Sequence, residues 1–173
     1  MKTKFKKGEY VVYDNVGVCQ IVDITSMKFT YQSSEKMYYI LSPEAKKESR
    51  VYVPVDNEKK VERMRYVMTE EELNQVIADA GSVCVEWTND KAQRAQRFKE
   101  ILAQKNQRHL IQLANCIHQK RNEMQAKGKR LSSTDEHFLK EAERFVDDEF
   151  SFSLKLDRKE VATYIRDRME MCV

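Results

Sequence analysis

The chain has 173 residues, of which 41% are hydrophobic, 34% charged and 9% aromatic. That is too apolar for a disordered chain and more charged than the ~25% of an average domain, which points to helices with broad solvated faces. Only 4 Gly and 2 Pro are present, so a collagenous or linker-rich chain is excluded. There is no run of ~18 apolar residues to cross a membrane. The length allows one ordinary domain or two small ones. The N-terminus, MKTKFKKGEYVVY, is basic but lacks the apolar core of a signal peptide, so a soluble cytoplasmic protein is expected.

Net charge is +3, but it is unevenly spread. Residues 1–66 carry 13 Lys+Arg against 9 Asp+Glu, whereas residues 67–86 carry five acids and no base. Residues 87–130 then hold 11 bases against 3 acids, and residues 131–173 hold 7 against 11. A basic block inside a nearly neutral chain is a footprint for a polyanion, or simply a solvated helical surface.

The first 66 residues alternate with a strand-like period. EYVVY at 9–13, GVCQIVDI at 17–24, KMYYIL at 36–41 and RVYVPV at 50–55 are short runs rich in Val, Ile and Tyr. Asp14-Asn15-Val16-Gly17 supplies a turn, and Ser42-Pro43-Glu44 and Asp56-Asn57-Glu58 punctuate the later runs. A small SH3- or Tudor-like β-barrel is expected, with Pro54 on an edge strand or at a strand end, because proline cannot donate to a ladder.

From residue 67 the period becomes helical. Thr69-x-x-Glu72 opens TEEELNQVIADA, which Gly81 can close. Helices are then expected over about 89–105 and 107–126, the latter ended by Gly128. Ser133-x-x-Glu136 caps a further helix with Phe138, Leu139, Ala142, Phe145 and Val146 on one stripe, and Asp157-x-x-Glu160 starts the last. The predicted architecture is therefore α+β: a β module over 1–66 and a compact bundle of about five helices over 67–173.

No catalytic constellation stands out. There is no glycine-rich phosphate loop, no G-x-S-x-G and no H-E-x-x-H, and His109, His118 and His137 have no nucleophile partner in sequence. Cys19, Cys84, Cys116 and Cys172 are far apart without metal-ligand spacing, and reduced thiols are expected. Cys116 and His118 diverge on a helix, so no metal or other cofactor is expected.

The single tryptophan is more informative. Trp87 precedes the basic helix, either as a buried staple or as an exposed aromatic wedge beside Lys91, Arg94, Arg97 and Lys99. Lys91, Arg94 and Arg97 share a face at steps of three, and Lys127, Lys129 and Arg130 follow at the next helix junction. Cations on phosphates with an apolar wedge at a base step is a minor-groove strategy.

At these residues the chain resembles a known family. FKKGEYVVYDNVGVCQIVDI, followed by the YYIL and VYVPV strands, is similar to the RNA polymerase-interaction domain of the CarD/CdnL proteins, shared with the transcription-repair coupling factor. Downstream, a Trp before a basic helix, a leucine-stripe helix and LSSTDEHFLKEA resemble the same family. The resemblance implies a non-enzymatic bacterial transcription regulator. Its β module would bind the polymerase β subunit by strand addition, with Met27, Met37, Tyr39, Arg50, Tyr52 and Pro54 as candidate contacts. Its helical module would touch promoter DNA at the upstream edge of the melted region through Trp87, Lys91, Arg94, Arg97, Lys99, Lys129 and Arg130. Such a protein is expected to act on polymerase as a monomer, with weak, non-sequence-specific affinity for free DNA and no membrane partner.

The chain also departs from that pattern. About four extra residues separate Trp87 from Ile101-Leu102-Ala103, Glu136 stands where relatives often carry a base, and Met27 and Tyr52 stand where they can carry arginines. Two other readings stay open: a Tudor-like adaptor that never touches DNA, and an RNA-binding regulator using the same basic helix.

Overall fold

The fold is that of a computed structural model, which describes residues 2–171. The chain divides into two compact units, one ending at Val67 and one beginning at Met68. Each has its own apolar core.

The first unit is a five-stranded antiparallel sheet: β1 (Tyr10–Tyr13), β2 (Gly17–Met27), β3 (Lys36–Pro43), β4 (Val51–Pro54) and β5 (Met64–Tyr66), in the order β4-β3-β2-β1-β5. A one-turn helix α1 (Glu58–Val61) links β4 to β5. Asp14 at φ 40° and Gly17 at φ 93° make the turn from β1 to β2, conformations that Asp tolerates and Gly adopts without a Cβ clash. β2 slips its pairing with β3 between Ile21 and Asp23. Such a bulge bends the long strand. Phe5, Val11, Cys19, Ile21, Tyr39, Leu41, Val53 and Met64 fill the inner face. The expected barrel is thus an open sheet, because β4 and β5 are its two ends and no pairing joins them among the described residues.

Pro54 ends β4, an edge strand paired only with β3. β3 itself lies between β2 and β4. Met37 and Tyr39 are therefore not on a free edge, and Tyr39, offered as a polymerase contact, is buried. Its ring is 1% exposed, and its hydroxyl accepts from the Lys4 backbone N–H at 3.0 Å.

The second unit packs α2 (Glu70–Ala80), α3 (Lys91–Gln104), α4 (Gln107–Ala126), α5 (Ser133–Leu154) and α6 (Arg158–Met171). Leu73, Ile77, Phe98, Leu110, Leu113, Ile117, Phe150 and Val161 are fully buried between them. Thr69 and Glu72 close a reciprocal capping box on α2. At α5 the cap is Ser132 rather than Ser133: its hydroxyl accepts from the Asp135 N–H at 3.1 Å. α3 and α5 end on Lys105 and Lys155 in the left-handed region, at φ 51° and 55°. Gly128, at φ 68°, follows α4.

A cleft of about 460 Å³ opens between α4, α5 and α6, with Ile111, Val146 and Ile165 on its floor and Glu143 and Asp147 on its wall. Burial, aided by the nearby Glu143 charge and opposed by Arg158, pushes the Asp147 carboxyl from 3.8 up to about 6. The folded unit thus holds that proton over a pH range in which the unfolded chain has released it, and rising pH across the range favours unfolding. Asp147→Asn is therefore expected to raise the melting temperature at pH 8. Melts in a pH series check this: the gain should shrink below pH 6 and vanish near pH 4.

Candidate nucleic-acid interface and polymerase-facing edge

Trp87 lies in the segment between α2 and α3, just before Asp90, whose side chain caps α3 by accepting from the Gln93 N–H at 3.0 Å. The indole is half-buried against the helical core. The Phe98 ring meets it edge-on at 6.1 Å. The Arg94 guanidinium stacks 4.2 Å from its centroid, and the Lys120 ammonium lies 5.7 Å away. Two cations thus lie within cation–π distance of an indole that stays partly open to solvent.

Arg94 corrects the sequence reading. It was expected on a phosphate, yet it is 5% exposed. Its Nε and Nη2 donate to the two Asp135 oxygens at 3.0 and 2.9 Å, and Nη1 donates to the Thr88 carbonyl at 2.7 Å. Burial pushes the Asp135 carboxyl up, but hydrogen bonds from Arg94 and Ser132 outweigh it and hold the group below its usual value. One guanidinium thus ties α3, the segment bearing Trp87 and the first turn of α5. It positions the indole and has no donor pair left for DNA.

The other cations stay exposed: Lys91, Arg97 and Lys99 on α3, and Lys127, Lys129 and Arg130 after α4. At 100° per residue, Lys91 and Arg97 flank Arg94 by about 60° on either side, whereas Lys99 stands about 140° away. Lys91 is close enough to Asp135 to help hold its carboxyl down, and Arg97 is close enough to Cys116 on α4 to oppose the rise that burial imposes on its thiol. Lys91 and Arg97 are therefore brought to the Trp87 side, and Lys99 is not. Lys120, which the sequence reading missed, belongs with them. Its only signal was its place in the basic block, and nothing in its spacing from Trp87 pairs the two. Glu136 is engaged by Arg121 at 3.7 Å.

On the first unit, β4 is one of the two edge strands, β5 being the other. Val55 N–H donates to the Met37 carbonyl at 2.9 Å, and the register pairs Tyr39 with Val53 and Leu41 with Val51. Bonded and non-bonded pairs alternate in an antiparallel ladder. Tyr52, opposite Ile40, accordingly turns its N–H and C=O outward. Arg50 is exposed, but its Nη1 donates to the Lys47 and Ser49 carbonyls at 2.6 and 2.7 Å and to the Ser42 hydroxyl at 3.2 Å. Met27 pairs with Lys36 at the far end of β2, half-buried.

Among the described residues no group of three His, Cys, Asp or Glu side chains is placed to hold a metal ion, and no helix is long and apolar enough to cross a membrane. Cys84 is exposed and Cys116 half-buried, both as thiols, while Cys19 is in the core with its Sγ 3.5 Å from the Gly17 carbonyl. Cys172 lies outside the described residues.

Residues 5–67 match the family described as the CarD-like/TRCF RID domain. The match takes in all five strands and ends at the boundary between the two units. No curated protein matches the chain.

Proposed function

We propose, from the CarD-like/TRCF RID domain formed by residues 5–67, that this chain is a bacterial transcription regulator. Its β unit tethers it to the RNA polymerase β subunit, and its helical unit acts on promoter DNA. The observation that carries the reading is that family match on a sheet whose β4 edge is free. An edge strand with outward N–H and C=O groups is a template for β-strand addition. Tyr52 supplies both groups, and Pro54 ends the accessible stretch.

The helical unit then brings Trp87, Lys91, Arg97, Lys120, Lys129 and Arg130 to promoter DNA at the upstream edge of the melted region. A partly open indole can wedge at an unstacked minor-groove step while the cations hold phosphates. No side chain in the set is arranged to read a base code. Affinity for free DNA is therefore weak and falls with salt, and the effect on promoters depends on delivery by polymerase. The chemistry is that of a non-enzymatic stabiliser of the open complex, acting in the cytoplasm as one copy per polymerase. A second reading, an adaptor without DNA contact, is favoured by the half-burial of Trp87 and the burial of Arg94.

Pull-down of the full chain by polymerase β-subunit fragments tests the tether. A fragment of residues 1–67, which has its own core, is expected to retain that binding. A fragment that gives a cooperative melt yet no affinity for the β subunit would put the tether elsewhere.

A further inference from the structure

We propose that Cys84 and Cys116 form an oxidation-sensitive dithiol site, whose closure to a disulfide fastens the Trp87 segment to α4. The site is independent of the DNA reading above; on that reading it makes the wedge sensitive to oxidation. Cys84 is exposed and Cys116 is half-buried on α4, both as thiols.

The path of the chain brings the two together. Gln112 donates from Nε2 to the Ala80 carbonyl, the last residue of α2, at 3.4 Å. Two turns further along α4, the Lys120 ammonium lies 5.7 Å from the Trp87 ring. Gln112, Cys116 and Lys120 share one stripe of α4, because steps of four return to nearly the same face. The segment leaving α2 therefore follows that stripe, held by Gln112 at Ala80 and by Lys120 at Trp87. Cys84 falls near the middle of the segment, and Cys116 falls midway between the two holding residues. Residues 83–88 are neither helix nor strand. From 112 to 120 the helix rises ~12 Å, whereas seven residues of chain can span ~23 Å, so the segment has the slack to bring Cys84 onto Cys116. The electrostatics agree, since Cys116 feels the charge of Cys84 together with those of Arg97 and Arg94.

The chemistry follows from the two environments. Burial pushes the Cys116 thiol up, and the Arg97 and Arg94 guanidinium groups oppose that rise. Cys84, open to solvent, is the thiol that meets an oxidant. The co-reactant is a low-molecular-weight disulfide. The Cys84 thiolate attacks one of its sulfurs, forming a mixed disulfide and expelling one small thiolate. The Cys116 thiolate then attacks Cys84 Sγ, forming the protein disulfide and expelling the second. The protein thiols give up two protons and two electrons, and the small disulfide is reduced to two thiols. In a reducing compartment such a bond is transient, which suits a sensor rather than a staple.

The test is incubation of the folded full chain with oxidised glutathione, followed by thiol counting, peptide mass mapping and the emission of Trp87, the sole tryptophan. Two thiols should be lost, one peptide should join Cys84 to Cys116, and Trp87 emission should fall, because a nearby disulfide quenches an indole. Dithiothreitol should reverse all three. Cys84→Ser and Cys116→Ser should each lose the cross-link and the emission change, while Cys172→Ser keeps both. Cys84 is exposed, so its variant keeps the test open if Cys116→Ser loosens the bundle. Cys19, 0% exposed in the other core, should stay reduced. The oxidised chain should melt no lower than the reduced one, since a disulfide that fits the fold acts chiefly by constraining the unfolded chain. Failure to cross-link overturns the site, as does a glutathione adduct left on Cys84 beside a free Cys116 thiol. A bond from either residue to Cys172 or to a second copy also overturns it, and so does a cross-link that lowers the melting temperature. A Cys84–Cys116 bond with unaltered emission overturns the hold on Trp87.

Discussion

Arg94→Ala is expected to destabilise the helical unit by about 3–5 kcal/mol, because it leaves the Asp135 carboxylate buried without its counter-charge. The two side chains are 6% and 5% exposed, so water cannot replace the lost partner. The same substitution also strands the Thr88 carbonyl and removes the cation stacked on Trp87. With ~4–8 °C in melting temperature per kcal/mol for a unit of this size, the fall should reach about 12 °C or more. Arg97→Ala, on the exposed side of α3, is expected to stay within about 0.5 kcal/mol of wild type. Thermal melts of the two single variants separate a buried tie from a surface cation directly. Removing both partners in Arg94→Ala/Asp135→Ala should cost less than the sum of the single changes, since no orphan charge then remains. A melt of Arg94→Ala within about 2 °C of wild type would sink the structural role. It follows that loss of DNA-dependent activity in a combined Arg94/Arg97 variant would say nothing about phosphate contact. Lys91, Arg97 and Lys120 are the positions to change for that purpose.

The contrast between Arg94 and its neighbours shows where sequence reasoning stops. Local signals were legible because they are local: the Thr69–Glu72 capping box, the turn at Asp14–Gly17, the 2-residue and 3.6-residue periods, and Pro54 at the end of an edge strand. Spacing by three placed Lys91, Arg94 and Arg97 on one face, but spacing does not say whether a face looks inward. That depends on Asp135, 41 residues away in the first turn of α5, and no spacing in the sequence links the two. KMYYIL posed the same problem in another form. Apolar residues on both phases leave the inward side undetermined until pairing with β2 puts Tyr39 and Leu41 in the core. Strand order is likewise a non-local fact, and it alone decides that β4 and β5 are edges while β3 lies inside the sheet. The Ser132 cap was misplaced by one residue because two serines stand side by side, and only the hydrogen bond to Asp135 distinguishes them.

Trp87→Ala is expected to lower stability by about 1–3 kcal/mol, less than the ~3–5 of a fully buried aromatic, because one side of the indole already faces solvent. What is lost is contact with Phe98 and the cover that the ring gives to Arg94. On the proposed reading it should also shorten the open-complex lifetime, by up to ~10-fold for each 1.4 kcal/mol of wedge contact removed. Stability and function must then be told apart, since a loosened helical unit could weaken any DNA contact. Ile77→Val supplies the control: Ile77 is fully buried on α2, and its trimming costs about 0.5–1.5 kcal/mol without touching the indole. Lifetimes are to be read well below both melting temperatures, where either variant is almost wholly folded. Under those conditions Ile77→Val should match wild type and Trp87→Ala should not, while both keep their hold on polymerase through the β unit. Trp87→Phe should fall between them, since it restores ring contact with less reach. A lifetime unchanged in Trp87→Ala, or shortened equally in Ile77→Val, would leave the indole as a packing residue under a structural arginine, and the adaptor reading would then account for its position.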